Sequence, residues 1–293
     1  MALFNGIGAA MVTPFDGHGI NYDVLDRYIE HLISNGVSAL FPFGTTGEPA
    51  TVTPEELEKT VPFIIERVNG RVPVIVGAGS NNTLAAAANA ERARRLGADG
   101  VLVVTPYYNK CTQVGIVEHY KAVVKAAKIP VLAYNVPTRT CVNIAPKTLA
   151  ELKKTGVVGI KEASGDIDQF QACAKVCHEV GLDLYCGDDS LTVIAMALGA
   201  LGTISVAANP APELMSKLCA LCSRGDYAAA RELLFRMSEF IHSLFCEVNP
   251  IPVKKAMQLL GFDVGAPRLP LTELEPEHTE LLREKMREIG LIK

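Results

Sequence analysis

Residues 157–166 read V-V-G-I-K-E-A-S-G-D, and this stretch joins the features of a buried strand to a lysine. Four apolar or small residues (Val157–Ile160) run directly into Lys161, and turn-forming residues follow before a helical pattern starts at Ile167. Continuous apolar runs of this length are typical of parallel strands that are covered on both faces. Because a buried strand excludes lysine unless its charge is paired or used, Lys161 is the first candidate functional residue.

The same strand-then-helix pattern occurs eight times along the 293 residues. The predicted strands are Ile7–Val12, Ala39–Phe43, Val72–Gly77, Gly100–Val104, Val131–Asn135, Val157–Lys161, Leu182–Cys186 and Thr203–Val206. This alternation predicts a parallel sheet with right-handed crossovers, and eight units favour a closed (β/α)8 TIM barrel over an open sheet. The G-x-G-x-x-G loop of an open dinucleotide-binding sheet is missing after the first strand.

After about Arg224 the alternation stops and only helical patterns follow. These predicted helices are Tyr227–Phe245, Pro252–Leu260 and Glu277–Ile289. We therefore divide the chain into a (β/α)8 barrel over residues 1–224, which contains Lys161, and a C-terminal helical extension over residues 225–293.

Composition narrows the class of protein. Hydrophobic residues make up 49% of the chain, charged residues 20%, and the net charge is −4, which is typical of a globular protein without a nucleic-acid or membrane partner. With no secretory pattern and no apolar run near the ~20 residues that span a bilayer, we expect a soluble cytoplasmic protein. Of the eight cysteines, Cys219 and Cys222 form a C-x-x-C in a helical pattern and are expected to be buried thiols, and no motif predicts a metal.

Polar or turn-forming residues follow six of the eight predicted strands. They are Gly44–Glu48, Thr105–Asn109, Tyr134–Arg139, Lys161–Glu162, Gly187–Asp189 and Ser205–Asn209, after strands two, four, five, six, seven and eight. Each has a structural alternative: Lys161 can extend its amine to solvent, and Asp188 can cap the next helix. Because TIM barrels build their active sites at the C-terminal ends of the strands, the shared position of these residues favours a common site.

A lysine in a barrel mouth has a characteristic chemistry. A desolvated lysine amine is a nucleophile that condenses with a ketone or aldehyde to form an imine, which then acts as an electron sink. Tyr134 ends the neighbouring strand and is placed to shuttle protons beside Lys161, with Thr45 as a relay. The Gly44–Gly47 turn offers backbone N–H groups to a keto-acid carboxylate, and Arg139 offers a fork to a second one. Since loops seven and eight lack a Gly-rich phosphate cradle, carboxylate substrates are favoured over sugar phosphates.

Five motifs together resemble the dihydrodipicolinate synthase family. They are G-T-T-G-E (44–48), T-P-Y-Y-N (105–109), Y-N-V-P-T-R-T (134–140), G-I-K-E-A-S-G (159–165) and N-P-I-P-V-K (249–254). The resemblance covers nearly the whole chain and implies a lyase of the class I aldolase type. It implies that pyruvate forms a Schiff base with Lys161, that the enamine attacks L-aspartate 4-semialdehyde on the diaminopimelate route to lysine, and that no cofactor is needed.

The resemblance also implies a role for each candidate residue. Lys161, Tyr134 and Thr45 match the nucleophile, the proton shuttle and the relay. Tyr108 matches a tyrosine that reaches across a subunit interface, which implies a dimer or the homotetramer (a dimer of dimers) that is the family's commonest form. The implied substrate contacts are Thr46 for the pyruvate carboxylate, Arg139 for the semialdehyde carboxylate, Gly187 and Asp188 for the semialdehyde, and Ile204 beside the bound keto acid.

Two alternative functions stay open at this point. N-acetylneuraminate lyase and related 2-keto acid aldolases share the lysine, the turn and the tyrosine, but do not usually carry the arginine of Y-N-x-P-x-R-T; Arg139 therefore favours the synthase. A catalytically inactive barrel that only binds a ligand is disfavoured because every candidate catalytic residue is present.

One departure from the family concerns feedback by lysine. In lysine-inhibited members, polar residues after the G-T-T-G-E turn and on the third helix hold the inhibitor at the dimer interface. Asn81 and Tyr107 are retained here, but Ala85 replaces a glutamate, and Pro54 and Leu57 replace histidines. The resemblance therefore predicts weak or absent inhibition by lysine.

Overall fold

The computed structural model describes residues 2–293 and places eight parallel strands in one sheet. The strands are β1 (Gly6–Ala10), β2 (Ala39–Phe41), β3 (Ile75–Gly77), β4 (Gly100–Val104), β5 (Val131–Asn135), β6 (Gly159–Glu162), β7 (Asp183–Cys186) and β8 (Gly202–Ser205). Their order is β2-β1-β8-β7-β6-β5-β4-β3, and a parallel bridge between Leu40 and Val74 joins β2 to β3. The sheet is therefore closed, and the predicted TIM barrel is confirmed.

Eight helices surround the barrel, one after each strand. They are α1 (Tyr22–Ser34), α2 (Pro54–Val68), α3 (Thr83–Arg95), α4 (Gln113–Ala127), α5 (Pro146–Thr155), α6 (Ile167–Val180), α7 (Thr192–Ala197) and α8 (Pro212–Ser223). The start of α2 is a capping box in which Thr53 and Glu56 exchange side-chain hydrogen bonds with each other's backbone N–H. The short elements that were not predicted include a hairpin over residues 15–20 and a helical turn at Pro137–Thr140.

The C-terminal extension contains three helices, α9 (Tyr227–Ser243), α10 (Ile251–Leu259) and α11 (Pro276–Glu288). Helix α9 packs against α8 and α11, so the extension lies against the barrel. On α8, Cys219 and Cys222 are buried free thiols, as predicted. Within residues 2–293, no helix combines the length and apolarity needed to cross a membrane.

The barrel interior is filled by an apolar cluster that includes Phe4, Phe41, Leu132 and Tyr185. The ring of Phe4 stacks on Tyr185 with 4.3 Å between centroids, and the Tyr185 hydroxyl donates a hydrogen bond to the Phe4 carbonyl at 2.9 Å. Since Phe4 precedes β1, these rings fill the N-terminal side of the barrel. Open space is left at the C-terminal strand ends.

Asn209, which follows β8, has a structural role. Its Nδ2 group donates to the carbonyls of Ala10 (3.0 Å) and Val206 (2.7 Å), and its Oδ1 atom accepts from the N–H of Val12 (3.1 Å) and from the Tyr28 hydroxyl. The side chain is completely buried. It ties the ends of β1 and β8 to α1, so this polar residue serves the closure of the barrel.

Candidate active site

A cavity of about 380 Å³ opens at the C-terminal ends of the strands. It is lined by seven of the nine predicted site residues: Thr45, Thr46, Tyr134, Arg139, Lys161, Gly187 and Asp188. These residues come from β2, β5, β6 and β7 or from the loops that follow them. The common location that the sequence predicts for them is therefore present in the fold.

Lys161 points into the barrel from the end of β6. It lies in register with Tyr134 on β5 and Tyr185 on β7, and residues in register share a face of a parallel sheet. Only 5% of Lys161 is exposed, and its Nζ atom lies 4.5 Å from the centroid of the Tyr134 ring. Within residues 2–293, no carboxylate lies at ion-pair distance from this amine. A lysine amine in this setting is poorly solvated and is suited to nucleophilic attack.

Glu162, the next residue, points to the outer face of β6. Its Oε2 atom accepts a hydrogen bond from the Asn135 side chain at 2.8 Å, and its Oε1 atom accepts from the Ser164 N–H at 2.8 Å. The carboxylate is buried and is satisfied by these donors. The alternation of a strand therefore separates Lys161 from the nearest negative charge in the sequence.

The backbone of Tyr134 is held by a second tyrosine from outside the barrel. The buried Tyr120 hydroxyl accepts from the Tyr134 N–H at 3.3 Å and donates to the Val103 carbonyl at 2.7 Å. This bridge spans β4 and β5 at the level of Lys161. Tyr134 and Thr45 line the same cavity, but in residues 2–293 of this single chain no hydrogen bond joins their hydroxyls.

The Thr45–Gly47 segment forms one turn of 3₁₀ helix at the cavity wall. The Gly47 N–H donates to the Gly44 carbonyl at 2.9 Å, and the Thr13 hydroxyl donates to the Gly47 carbonyl at 2.7 Å. The N–H groups of Thr45 and Thr46 donate to no other group in the described part of the chain. Because unpaired N–H groups on a turn attract anions, this wall of the cavity can hold a carboxylate.

The C-terminal extension supplies residues that the sequence did not point to. Ile241, His242, Phe245 and Asn249 all line the cavity. The Asn249 Nδ2 group donates to the Thr46 hydroxyl at 3.0 Å, and the Asn249 backbone carbonyl accepts from the Arg139 guanidinium at 3.0 Å. Asn249 is the first residue of the N-P-I-P-V-K motif, so the family resemblance included this segment. Because Asn249 does not follow a barrel strand, the position of active sites at strand ends did not assign Asn249 to the site.

The two aspartates after β7 differ in role. Asp188 lines the cavity and also caps the next turn, since its carboxylate accepts from the Ser190 N–H at 3.0 Å. Asp189 is buried, and its Oδ2 atom accepts from the N–H groups of Val206 (3.0 Å) and Ala207 (2.9 Å). Burial raises the pKa of the Asp189 carboxyl. The cap that the sequence offered as an alternative for Asp188 is therefore present, together with its place at the cavity.

Two predicted site residues lie outside the cavity lining. Ile204 is fully buried in the apolar interior cluster. Tyr108 is 91% exposed and adopts a φ of +70°, a left-handed conformation that is uncommon for a non-glycine residue. The contacts predicted for both residues stay predictions.

Comparison with known proteins gives consistent matches over the whole chain. The model of the "Dihydrodipicolinate synthetase family" matches residues 3–289. The 4-hydroxy-tetrahydrodipicolinate synthase of Clostridium novyi (strain NT) is 46% identical over 287 residues, which is 98% of this chain and 97% of that protein. The crystal structure of dihydrodipicolinate synthase from Thermotoga maritima superposes with a TM-score of 0.97 at 42% identity, covering 99% of this chain and 100% of that one. The lysine-bound enzyme from Cyanidioschyzon merolae superposes with a TM-score of 0.95 at 36% identity and full coverage of both chains.

Gly187 makes room for Lys161, which yields a first prediction. A Cβ atom at residue 187 would lie 2.5 Å from the Ala163 Cβ and 2.7 Å from the Lys161 Cε. The substitution Gly187→Ala should displace the Lys161 side chain and lower its reaction rate with a carbonyl probe at least about tenfold. The measurement is borohydride labelling of the peptide that holds Lys161. Gly17→Ala, at an open position, is the control, and equal labelling in both variants would contradict the assignment.

Proposed function

The chain belongs to the dihydrodipicolinate synthetase family, and we propose that it condenses pyruvate with L-aspartate 4-semialdehyde as a lyase of the class I aldolase type. The observation that carries this proposal is the buried, unpaired Lys161 amine, which lies 4.5 Å from the Tyr134 ring centroid in a cavity shared with Thr45, Thr46 and Arg139. Its relatives named 4-hydroxy-tetrahydrodipicolinate synthase support the choice of substrates and imply the route to lysine.

The first half of the reaction forms a covalent imine. The neutral Lys161 amine attacks C2 of pyruvate, and the resulting carbinolamine loses water to give a protonated imine. Tyr134 carries the protons for this exchange, with Thr45 as its relay. The pyruvate carboxylate binds the Thr45 and Thr46 N–H groups. No cofactor takes part, because the imine itself is the electron sink.

The second half forms the carbon–carbon bond. Loss of a proton from C3 of the imine gives an enamine, which attacks the aldehyde carbon of L-aspartate 4-semialdehyde. The amino group of that substrate then attacks the imine carbon, closes the ring and releases the Lys161 amine. Arg139 binds the semialdehyde carboxylate at the cavity mouth, and Gly187 and Asp188 contact the same substrate. Ile204 lies beside the bound keto acid.

The proposed active form is a cytoplasmic dimer or dimer of dimers in which Tyr108 enters the partner's site. This part of the proposal is supported by the exposure of Tyr108 (91%), Leu84 (81%) and Tyr107 (39%), which are large apolar or aromatic side chains. The side-chain amide of Asn109 donates to the Asn81 carbonyl at 2.9 Å, which ties the Tyr108 loop to the start of α3.

The proposed function is tested by trapping and by turnover. With pyruvate and borohydride, we expect one covalent adduct, on the peptide that holds Lys161, because among residues 2–293 no other lysine lines the cavity. With pyruvate and L-aspartate 4-semialdehyde we expect turnover, and with N-acetylneuraminate much slower cleavage.

Lys161→Ala is the control for the trapping experiment and should give no adduct. An adduct on another lysine would contradict the mechanism. Faster cleavage of N-acetylneuraminate than condensation would favour a different aldolase, and trapping without turnover of either substrate would favour a barrel that only binds.

The role of Arg139 predicts a separation of the two halves of the reaction. Arg139→Ala should lower kcat/KM for the semialdehyde by about tenfold or more, since the carboxylate loses a charged fork. The rate of borohydride trapping with pyruvate should change much less. Arg139→Lys keeps the charge without the fork, so its kcat/KM for the semialdehyde should lie between those of the wild type and Arg139→Ala. Equal losses in trapping and in turnover would place Arg139 elsewhere in the mechanism.

Feedback by lysine is expected to be weak or absent. Ala85 provides no carboxylate for a cationic amino acid, and Pro54 and Leu57 provide no polar contacts. Initial rates should therefore be almost unchanged at about 1 mM lysine, a concentration at which a micromolar ligand would saturate its site. An inhibition constant in the micromolar range would contradict this prediction.

A further inference from the structure

A second buried lysine, Lys254, lies where the C-terminal extension meets the barrel. Its Nζ atom lies 2.8 Å from the Glu48 Oε1 atom, and both side chains are 1% exposed. The Lys254 amine also donates to the Ala266 carbonyl at 3.1 Å. The other oxygen of Glu48, Oε2, accepts a hydrogen bond from the backbone N–H of Arg268 at 2.8 Å. One carboxylate therefore holds two separate parts of the extension, α10 and the loop after it.

Glu48 is also the residue that ends the Thr45–Gly47 turn. It adopts a left-handed conformation (φ 54°, ψ 47°), and its N–H donates to the Thr45 carbonyl at 3.3 Å. Because a glutamate in this region of φ/ψ space is strained, contacts elsewhere must hold it there. The side-chain bonds to Lys254 and Arg268 are such contacts. A shift of the Glu48 side chain would therefore move Thr45 and Thr46.

Stability alone is a poor reason for this ion pair. Two buried charges lose their hydration, and replacing such a pair by apolar side chains of similar size is often neutral or stabilising. Burial lowers the pKa of the Lys254 amine, an effect that the Glu48 carboxylate opposes. The amine also lies 4.4 Å from the centroid of the Phe15 ring. Unlike apolar side chains, the hydrogen-bonded pair fixes the orientation of the Glu48 side chain. It thereby fixes the backbone at the end of the Thr45–Gly47 turn.

We propose that Glu48 and Lys254 are positioning residues that hold the Thr45–Gly47 turn in the orientation that receives the pyruvate carboxylate. This inference rests on the proposed function. It gives the C-terminal extension a role in binding the first substrate, through contacts that do not touch the substrate.

The test uses the full chain with the substitutions Glu48→Gln and Lys254→Met together, which remove both charges and keep an acceptor for the Arg268 N–H. KM for pyruvate should rise about tenfold, while kcat at saturating pyruvate should change much less. Borohydride trapping with hydroxyacetone, a ketone without a carboxylate, should be nearly unchanged. The ratio of pyruvate to hydroxyacetone trapping should therefore fall about tenfold.

The control is Glu30→Gln with Arg71→Met, which removes an ion pair between α1 and the segment after α2. Within residues 2–293, neither side chain lines the cavity or bonds to Glu48 or Lys254, so KM for pyruvate should stay near the wild-type value. Equal effects of both double variants on KM, or equal loss of trapping with both ketones, would contradict the inference.

Two further outcomes are separable. Glu48→Gln alone carries the same test if the double variant does not fold, and failure of both to fold would assign the pair to stability instead of positioning. Wild-type trapping with pyruvate is measured first; its failure would overturn the proposed function, whereas a normal wild type with an unchanged double variant would overturn only the inference.

Discussion

Burial of a lysine amine without a carboxylate partner is the constraint on which the site depends. The described chain contains two buried lysines, and their surroundings differ. Lys254 is paired with Glu48 at 2.8 Å and is held as a structural cation. Lys161 faces the Tyr134 ring and has no carboxylate partner within residues 2–293. The Lys161 amine is therefore not tied up in an ion pair and is placed to attack a carbonyl carbon from the cavity.

The barrel produces this difference through strand alternation and closure. Along β6, Lys161 points inward and Glu162 points outward to Asn135 and Ser164. The apolar rings of Phe4 and Tyr185 fill the barrel on its N-terminal side. The amine is therefore accessible only from the C-terminal side, where the loops supply polar groups. Fold, desolvation and access to substrate thus have a common origin in the packing of one strand.

Much of this arrangement could be predicted from the sequence, because it follows from local patterns. Eight apolar runs separated by helical patterns predicted the barrel. Because TIM barrels build their active sites at the C-terminal ends of the strands, Lys161, Tyr134 and Thr45 could be predicted to share one cavity. The contributions of Asn249 and Lys254 could not be predicted in this way. They come from a loop and a helix about 200 residues beyond their partners Thr46 and Glu48, and helical periodicity carries no information about which distant turn a side chain reaches. The cap at Asp188 shows another limit of prediction from sequence. A carboxylate that caps a helical turn can also line a cavity, so the preference for a cap does not exclude a place in the site.

The most direct test of the central claim is a crystal structure of the protein soaked with pyruvate. We expect continuous density from the Lys161 Nζ atom to C2 of the keto acid. The pyruvate carboxylate should lie within hydrogen-bond distance of the Thr45 and Thr46 N–H groups, with the Tyr134 hydroxyl beside the new bond. Pyruvate bound covalently to another lysine, or a carboxylate turned away from the Thr45–Gly47 turn, would contradict the proposed imine at Lys161 and its carboxylate site.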